Sequence, residues 1–193
     1  MFLDRRSLGR LLTGSVAAPL AAASALAPRR ATAATRREID AEVAAALVRL
    51  RNLPNLAPRL LQDARAMLIF PRIISGGFLV GGQYGEGAAI GPNGDTQGYY
   101  NIAGVSFGFL AGAQASGLAM FFMTDEALAA LMRADGWEIG TGPSVVALDQ
   151  GAQMNITATT VLEPVYAITF NQSGLMASLA LQGTKITRIN PDP

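Results

Sequence analysis

The stretch that decides the fold runs from Met67 to Gly87 and reads MLIFPRIISGGFLVGGQYGEG. Its apolar opening, Met67 to Phe70, predicts a β-strand. Pro71 predicts the end of that strand or an edge position, because proline cannot donate to a ladder. A turn is expected at Ser75-Gly76. Glycine then recurs so often that bulges, bends or a close approach by another chain or ligand are expected, at Gly77, Gly81, Gly82, Gly85 and Gly87.

This glycine-rich run has two interpretations. In the first, the glycines allow strongly curved strands to pack against a helix. In the second, they leave a thin wall against which something apolar can lie. The second interpretation makes Gly77, Gly81 and Gly82 candidate positions for contact with an apolar ligand.

Composition excludes several kinds of chemistry. The chain has 193 residues, half of them hydrophobic and 15% charged, which is typical of one globular domain with an N-terminal extension. It contains no cysteine and no histidine. Thiol catalysis, disulfides, the usual zinc sites and Ser-His-Asp triads are therefore ruled out, and neither a cofactor nor a metal is expected.

Residues 1–33 have the three-part layout of an export signal. A basic start precedes the apolar run Leu11 to Ala27, and Ala31-Thr32-Ala33 is an A-x-A site with cleavage expected after Ala33 or close by. Arg5-Arg6 resembles a twin-arginine signal, although Gly9 stands where that motif has a bulky apolar residue, so the general secretory route stays open. We therefore expect a periplasmic protein, peripheral on a membrane, whose residues 34–193 form a single domain.

The mature chain is predicted to begin with two helices. Thr35 to Glu38 fits a capping box, and an apolar stripe follows at helical spacing until Asn52-Leu53: Ile39, Val43, Ala46, Leu47 and Leu50. A second helix is expected from about Leu56 to Ala66, with Pro58 in its first turn.

Strand patterns dominate after Met67. We expect strands at Thr96–Ile102 and Val105–Ala111, and a strand buried on both faces at Leu118–Met123. A helix capped by Thr124 should bury Leu128, Leu131 and Met132 and end with Gly136 as its C′ residue. Further strands, with a turn at Asn171–Gly174, are predicted at Val145–Leu148, Met154–Thr160, Val165–Phe170, Leu175–Leu181 and Lys185–Ile189.

These elements predict an α+β fold. The N-terminal helices should pack on a curved, largely antiparallel sheet, barrel- or sandwich-like, with one inserted helix. No catalytic group stands out: Lys185 is the single lysine, and capping already explains the carboxylates Asp125 and Glu126. The turn at Asn93–Asp95 offers too few oxygen ligands for calcium.

Charge is distributed unevenly along the mature chain. Residues 36–72 carry seven basic and four acidic side chains, whereas the remainder carries three basic and nine acidic ones. A basic helical end on an acidic body suggests approach to an anionic surface, although the arginines could simply solvate the helices. The net charge of −3 argues against a nucleic-acid partner. The candidate residues for contact with such an anionic surface are Arg36, Arg37, Arg49, Arg51, Arg59, Arg65 and Arg72.

Taken together, several motifs resemble the SYLF lipid-binding domain family, also described as Ysc-type actin-binding domains. The resemblance covers about Glu38 to Arg188. It rests on the stretch Met67–Gly87 and on a series of shorter motifs, which are Gly98-Tyr99-Tyr100-Asn101, Ser106-Phe107-Gly108, Gly112-Ala113-Gln114, Phe122 to Leu128, Gly136 to Gly140 and Gly174-Leu175-Met176.

The resemblance implies a β-rich domain that binds phospholipid or phosphoinositide without catalysis. In the family an N-terminal amphipathic helix contributes to membrane binding; here it would be Thr35 to Asn52, with Arg36, Arg37, Arg49 and Arg51 as head-group contacts. An exported protein meets no actin and little phosphoinositide, so phosphatidylglycerol, cardiolipin or phosphatidylethanolamine is the expected ligand. The alternatives are a structural or partner-binding envelope protein, with its partner unknown, and a carboxylate-based hydrolase.

Overall fold

The computed structural model of the protein describes residues 33–53, 58–78, 80–107, 112–133, 136–148, 163–173, 181 and 183–193. Residues 33–193 form one compact unit. The helices in the described ranges are α1 (Arg36–Arg51), α2 (Pro58–Asp63) and α3 (Asp125–Leu131). The strands are β1 (Ala66–Phe78), β2 (Val80–Ile90), β3 (Thr96–Phe107), β4 (Gly112–Phe122), β5 (Trp137–Glu138), β6 (Val145–Leu148), β7 (Val165–Ser173) and β8 (Lys185–Ile189).

All eight strands join one sheet in the order β5-β8-β3-β2-β1-β4-β7-β6. Neighbouring strands are antiparallel except for β6 and β7, which are parallel. The sheet curls into a half-barrel with α1 packed against it, which confirms the predicted α+β class. The predicted strand Met154–Thr160 and residues 1–32 of the predicted signal lie outside the described residues.

The prediction for Pro71 was wrong, because β1 continues through it and is a central strand between β2 and β4. Between Ile69 and Arg72 the register with β2 shifts, and the register with β4 shifts between Phe70 and Ile73. In both pairings β1 has one residue more than its neighbour, which defines a β-bulge. A bulge leaves one residue outside the ladder, so a proline without an N–H can sit in the middle of the sheet.

The bulge reverses the alternation of side chains along β1. Before it, Met67 and Ile69 point to the face covered by α1, while Leu68 and Phe70 point to the opposite face. After it, Ile73 belongs to the same core as Phe70, although an unbroken strand would have placed it on the other face. We call these faces the helix side and the far side of the sheet.

Two glycines of β2 make room for the bulge. A Cβ at Gly85 would lie 2.8 Å from the carbonyl oxygen of Arg72, and one at Gly87 would overlap the carbonyl oxygen of Ile69. The prediction of bulges is therefore confirmed here. The expected turn at Ser75-Gly76 was wrong, since both residues lie within β1 and pair with Gln83 and Gly82.

Helix α1 follows its predicted pattern closely. Thr35 is the N-cap, and the capping box with Glu38 is complete. The helix buries Ile39, Val43, Ala46 and Leu50 against β1 and β2, because residues at this spacing share one face. Helix α2 covers Pro58–Asp63 in the described residues, whereas the prediction extended it to Ala66, which lies in β1. It buries Leu60 in the same helix-side core. This core also contains Phe121, Ile168 and Phe170 of β4 and β7.

Helix α3 lies over the far side and differs from its prediction. Thr124 caps it as expected, but it ends at Leu131 with Met132 as C-cap, so Met132 is 43% exposed and not buried. Gly136 is consequently too distant to be the C′ residue. Two other features favour glycine at this position. Its φ is +83°, and a Cβ there would lie 2.7 Å from the carbonyl oxygen of Ile186.

The later strands are partly as predicted. β6 and β8 have the expected bounds, and the residues of β4 from Leu118 to Phe122 are buried on both faces. The two strands expected at Thr96–Ile102 and Val105–Ala111 are joined in β3 as far as Phe107, where this described range ends. The turn expected at Asn171–Gly174 was wrong in its described part, because β7 continues to Ser173.

We expect Gly87→Ala to lower the free energy of unfolding by about 1–3 kcal/mol, since its methyl group would collide with Ile69 and with the ring of Phe70. Gly82→Ala is the matched control, because the nearest atom to its Cβ is 3.9 Å away. Urea denaturation of both variants measures the difference. Equal stability of the two variants would contradict the close approach at the bulge.

The capping box also predicts a pH dependence. The backbone N–H of Thr35, and then its hydroxyl, hold the pKa of Glu38 below its ordinary 4.5. A lowered pKa in the folded state stabilises the protein above the unfolded value, and this contribution is lost as the pH falls through the folded value. Glu38→Gln should therefore weaken the loss of stability below about pH 4.5, measured by thermal unfolding, whereas the exposed control Glu138→Gln should not.

Candidate functional site

Helix α1 distributes its charged residues over three directions. At 100° per residue, Glu42 and Arg49 lie on the flank that faces β4, whereas Arg36 and Arg51 lie on the opposite flank. Arg37 points away from the sheet and is exposed. The seven predicted arginines therefore do not form one continuous basic surface.

The guanidinium of Arg36 is used within the protein. Its Nε donates to the carbonyl oxygen of Pro191 (2.9 Å), and its Nη2 donates to Oδ1 of Asn190 (2.6 Å). Its Cζ lies 6.0 Å from the centroid of the Tyr99 ring, within range of a cation–π contact. These contacts tie the start of α1 to the end of the described chain.

Two further arginines pair with nearby carboxylates. Arg59 contacts Asp63 at 3.3 Å within α2, and Arg65 contacts Asp125 at 3.5 Å. All four side chains are well exposed, so the pairs contribute little to stability. Arg51 lines a small pocket of about 80 Å³ between the helices and the strand ends of β1 and β2.

Arg49 and Arg72 come together in a pocket of about 350 Å³. Arg72 lies on the helix side because of the β1 bulge, and Arg49 lies on the adjacent flank of α1. Within the part of the chain that the structure describes, neither guanidinium has a hydrogen-bond or ion-pair partner. The lining residues are Glu42, Ala45, Arg49, Pro71, Arg72, Ala115 and Ser116.

Beyond this pocket, α1 leaves the helix side of the sheet uncovered. Register places Ala115, Ile74, Tyr84 and Ala103 side by side across β4, β1, β2 and β3. Ile74 is 50% exposed, Tyr84 49% and Val105 63%, which is unusual for large apolar side chains on one sheet face. We call this surface the open face; its members are Ile74, Gly76, Gly82, Tyr84, Ala103, Val105 and Ala115.

The predicted glycine positions differ in their surroundings. Gly82 is exposed on the open face, and a Cβ there would meet only the carbonyl oxygen of Gly104 at 3.9 Å. Gly81 is buried, and Gly77 is partly buried in β1. Only Gly82 therefore has the position that a thin, ligand-facing wall requires.

Glu86 anchors the edge of the open face near the start of α1. Its Oε1 accepts a hydrogen bond from the Tyr84 hydroxyl (2.6 Å), and its Oε2 accepts one from the backbone nitrogen of Ala34 (3.0 Å). Burial, followed by the hydrogen bond and the charge of Glu86, raises the pKa of the Tyr84 hydroxyl. The hydroxyl of Tyr84 is therefore neutral at ordinary pH, and the side chain is about half exposed.

A second, wider pocket of about 600 Å³ lies on the opposite flank of α1. Its basic residues are Arg36, whose donors are used as described, and Arg188 of β8. Asp40 accepts a hydrogen bond from the hydroxyl of Tyr99 (3.0 Å) beside it. Burial, with the bond to Asp40 and its charge, raises the pKa of Tyr99. The occupied guanidinium of Arg36 makes this pocket the weaker candidate.

The sequence reasoning identified Arg49 and Arg72 but missed their surroundings. Glu42 stands seven residues before Arg49, a spacing that puts both on one helix flank, so this neighbour could have been found. Ile74, Tyr84 and Val105 could not, because their exposure depends on where α1 begins over the sheet.

In the ranges that the structure describes, no helix has the length and apolar character needed to cross a membrane. Within the same ranges, no three acidic side chains come close enough together to hold a metal ion.

Comparison with known proteins gives one family. Residues 103–191, somewhat less than half of the chain, match the Ysc84 family, described as "Las17-binding protein actin regulator". No curated protein matches the chain. The match begins within β3 and includes Ala115 and Ser116 of the candidate pocket, while Arg49 and Arg72 precede it. The resemblance inferred from the motifs is thus confirmed, and residues 103–191 are similar to the Ysc84, or SYLF, family.

Proposed function

We propose that the mature chain is a non-catalytic, periplasmic phospholipid-binding protein that associates with an envelope membrane. In this proposal the pocket of Arg49 and Arg72 takes the phosphate of the head group, and the open face contacts the hydrocarbon. The observation that carries the proposal is the position of two guanidinium groups without partners beside three exposed apolar side chains, Ile74, Tyr84 and Val105. The family match supports a lipid-binding or actin-related domain in general.

Phosphate suits this pocket because arginine offers several donors in a fixed plane that match phosphate oxygens. Charge alone is a weak attachment, since each basic residue near an anionic membrane contributes about 1 kcal/mol. Stable attachment needs a second, apolar contribution. The open face supplies this apolar contribution through neighbouring residues of strands β1 and β2.

Glu42 gives the pocket a mixed character. Its carboxylate lies among the lining residues with the two arginines, so the three side chains carry a net charge of +1. A head group with a phosphate and an ammonium group, such as phosphatidylethanolamine, matches both signs. A purely anionic head group would instead meet repulsion from Glu42.

Location and lack of catalysis rest on the sequence. The export signal at residues 1–33 supports the periplasm and argues against an actin partner. The absence of histidine and cysteine leaves few groups that could act as general base or nucleophile. A structural or partner-binding envelope protein remains the second candidate, because an exposed apolar sheet face also suits a protein partner.

We expect Arg49→Ala and Arg72→Ala each to weaken binding to phosphatidylethanolamine vesicles containing phosphatidylglycerol by about fivefold, because each removes one phosphate contact. Vesicle flotation at several lipid concentrations measures the affinity. Arg133→Ala is the matched control, because it removes one exposed arginine outside the pocket and should change the affinity less than twofold.

The outcomes of this comparison are distinct. If all three arginine variants lose affinity equally, the attraction is general and the pocket is not the site. If the unaltered protein floats with no bacterial lipid mixture while remaining folded, the lipid proposal fails, and a pull-down for a protein partner becomes the informative experiment.

Glu42→Gln should shift the lipid preference of the pocket. Removal of the carboxylate should strengthen binding to phosphatidylglycerol vesicles by about fivefold, since one repulsive charge is lost. Binding to vesicles of phosphatidylethanolamine alone should weaken or stay the same. An unchanged ratio of the two affinities would show that Glu42 does not face the head group.

A further inference from the structure

The residue that follows the predicted signal, Ala34, is hydrogen-bonded to the sheet. The backbone nitrogen of Ala34 donates to Oε2 of Glu86 at 3.0 Å, between positions 52 residues apart in the chain. Glu86 is partly buried, and its other carboxylate oxygen accepts from the Tyr84 hydroxyl. A carboxylate on the sheet thus holds the main-chain nitrogen of Ala34.

The residues after Ala34 are held firmly in place. Thr35 is the N-cap of α1, and the backbone nitrogen of Arg36 donates to the carbonyl oxygen of Asp192 at 2.8 Å. The side chain of Ala34 packs against the helix-side core. Ala33, in contrast, is exposed and lies outside any helix or strand. The peptide bond between Ala33 and Ala34 therefore joins an accessible residue to an anchored one.

We propose that Ala34 is the mature N-terminus and that its ammonium group forms an ion pair with Glu86. The A-x-A site Ala31-Thr32-Ala33 places cleavage at this bond. A signal peptidase adds water across it: the C–N bond breaks, Ala33 leaves as a carboxylate, and the freed amine takes up a proton. The nitrogen that donates to Glu86 before cleavage is the nitrogen that becomes charged.

Processing would therefore strengthen an existing contact. A hydrogen bond from an amide becomes one between an ammonium and a carboxylate, and such pairs are shorter and stronger. The pair holds the start of α1 to β2. This inference is independent of lipid binding, since Glu86 is not among the residues that line the Arg49 and Arg72 pocket.

Two charged side chains bear on this position, Glu38 and Arg72, and within the described residues Arg72 forms no ion pair with Glu86. Glu38 of α1 is engaged with the backbone and hydroxyl of Thr35. Arg72 is the register partner of Glu86 on β1, and Asn101 is its partner on β3. The Tyr84 hydroxyl uses Oε1, which leaves Oε2 for the ammonium group.

The experiment uses the processed protein purified from the periplasm of a bacterial host. Intact mass should correspond to residues 34–193. Lys185 is the sole lysine, so in a Lys185→Arg background the α-amino group is the one amine left for acetylation. Acetylation keeps an N–H for Glu86 but removes the charge.

Acetylation should lower the equilibrium constant for folding by about threefold, in the range of partly exposed ion pairs, and should have no effect in the additional variant Glu86→Gln. Glu126→Gln, which alters an exposed carboxylate on α3, should respond to acetylation like the parent. A mature chain that starts elsewhere, an uncleaved chain, or equal effects of acetylation with and without Glu86 would overturn the proposal.

Discussion

The β-bulge at Pro71 is the constraint on which the rest of the structure depends. A central strand needs a donor at every ladder position, and proline has none. The chain meets this requirement by placing one extra residue in β1 relative to both β2 and β4. The neighbouring strand β2 must then leave space for the displaced carbonyl groups of β1, and the glycines at positions 85 and 87 provide that space.

The same bulge decides which side chains reach which face. Without it, Arg72 would point to the far side, where Phe70, Ile73 and Trp137 form a dry core that could not hold an unpaired guanidinium. With it, Arg72 reaches the helix side beside Arg49. The apolar residue two positions later, Ile74, follows to the same face and remains exposed. A backbone irregularity thus produces the juxtaposition of charge and apolar surface in the candidate site.

Local features of the fold were predictable from the sequence, and features that depend on pairing were not. The capping box of α1 and its buried stripe involve residues within one element, and the structure has them as predicted. Proline in a strand is compatible with an end, an edge or a bulge. Choosing among these requires knowledge that β2 and β4 flank β1, which the sequence around Pro71 does not contain. Likewise, nothing near Arg36 indicates that Asn190 and Pro191 accept its hydrogen bonds.

The seven arginines show why a count of charges is a poor guide to a site. They contribute equally to the net charge of residues 36–72, yet Arg36, Arg59 and Arg65 already have partners within the protein. Moving such a residue to a membrane would first break those contacts, which offsets part of the gain. Arg49 and Arg72 have no such contacts to break, and the negative charge of Glu42 beside them lowers the positive potential of the pocket. The lipid selectivity of this pocket therefore depends on the positions of Glu42 and Arg49 on α1 and of Arg72 at the bulge. The overall basic character of the N-terminal helices matters less.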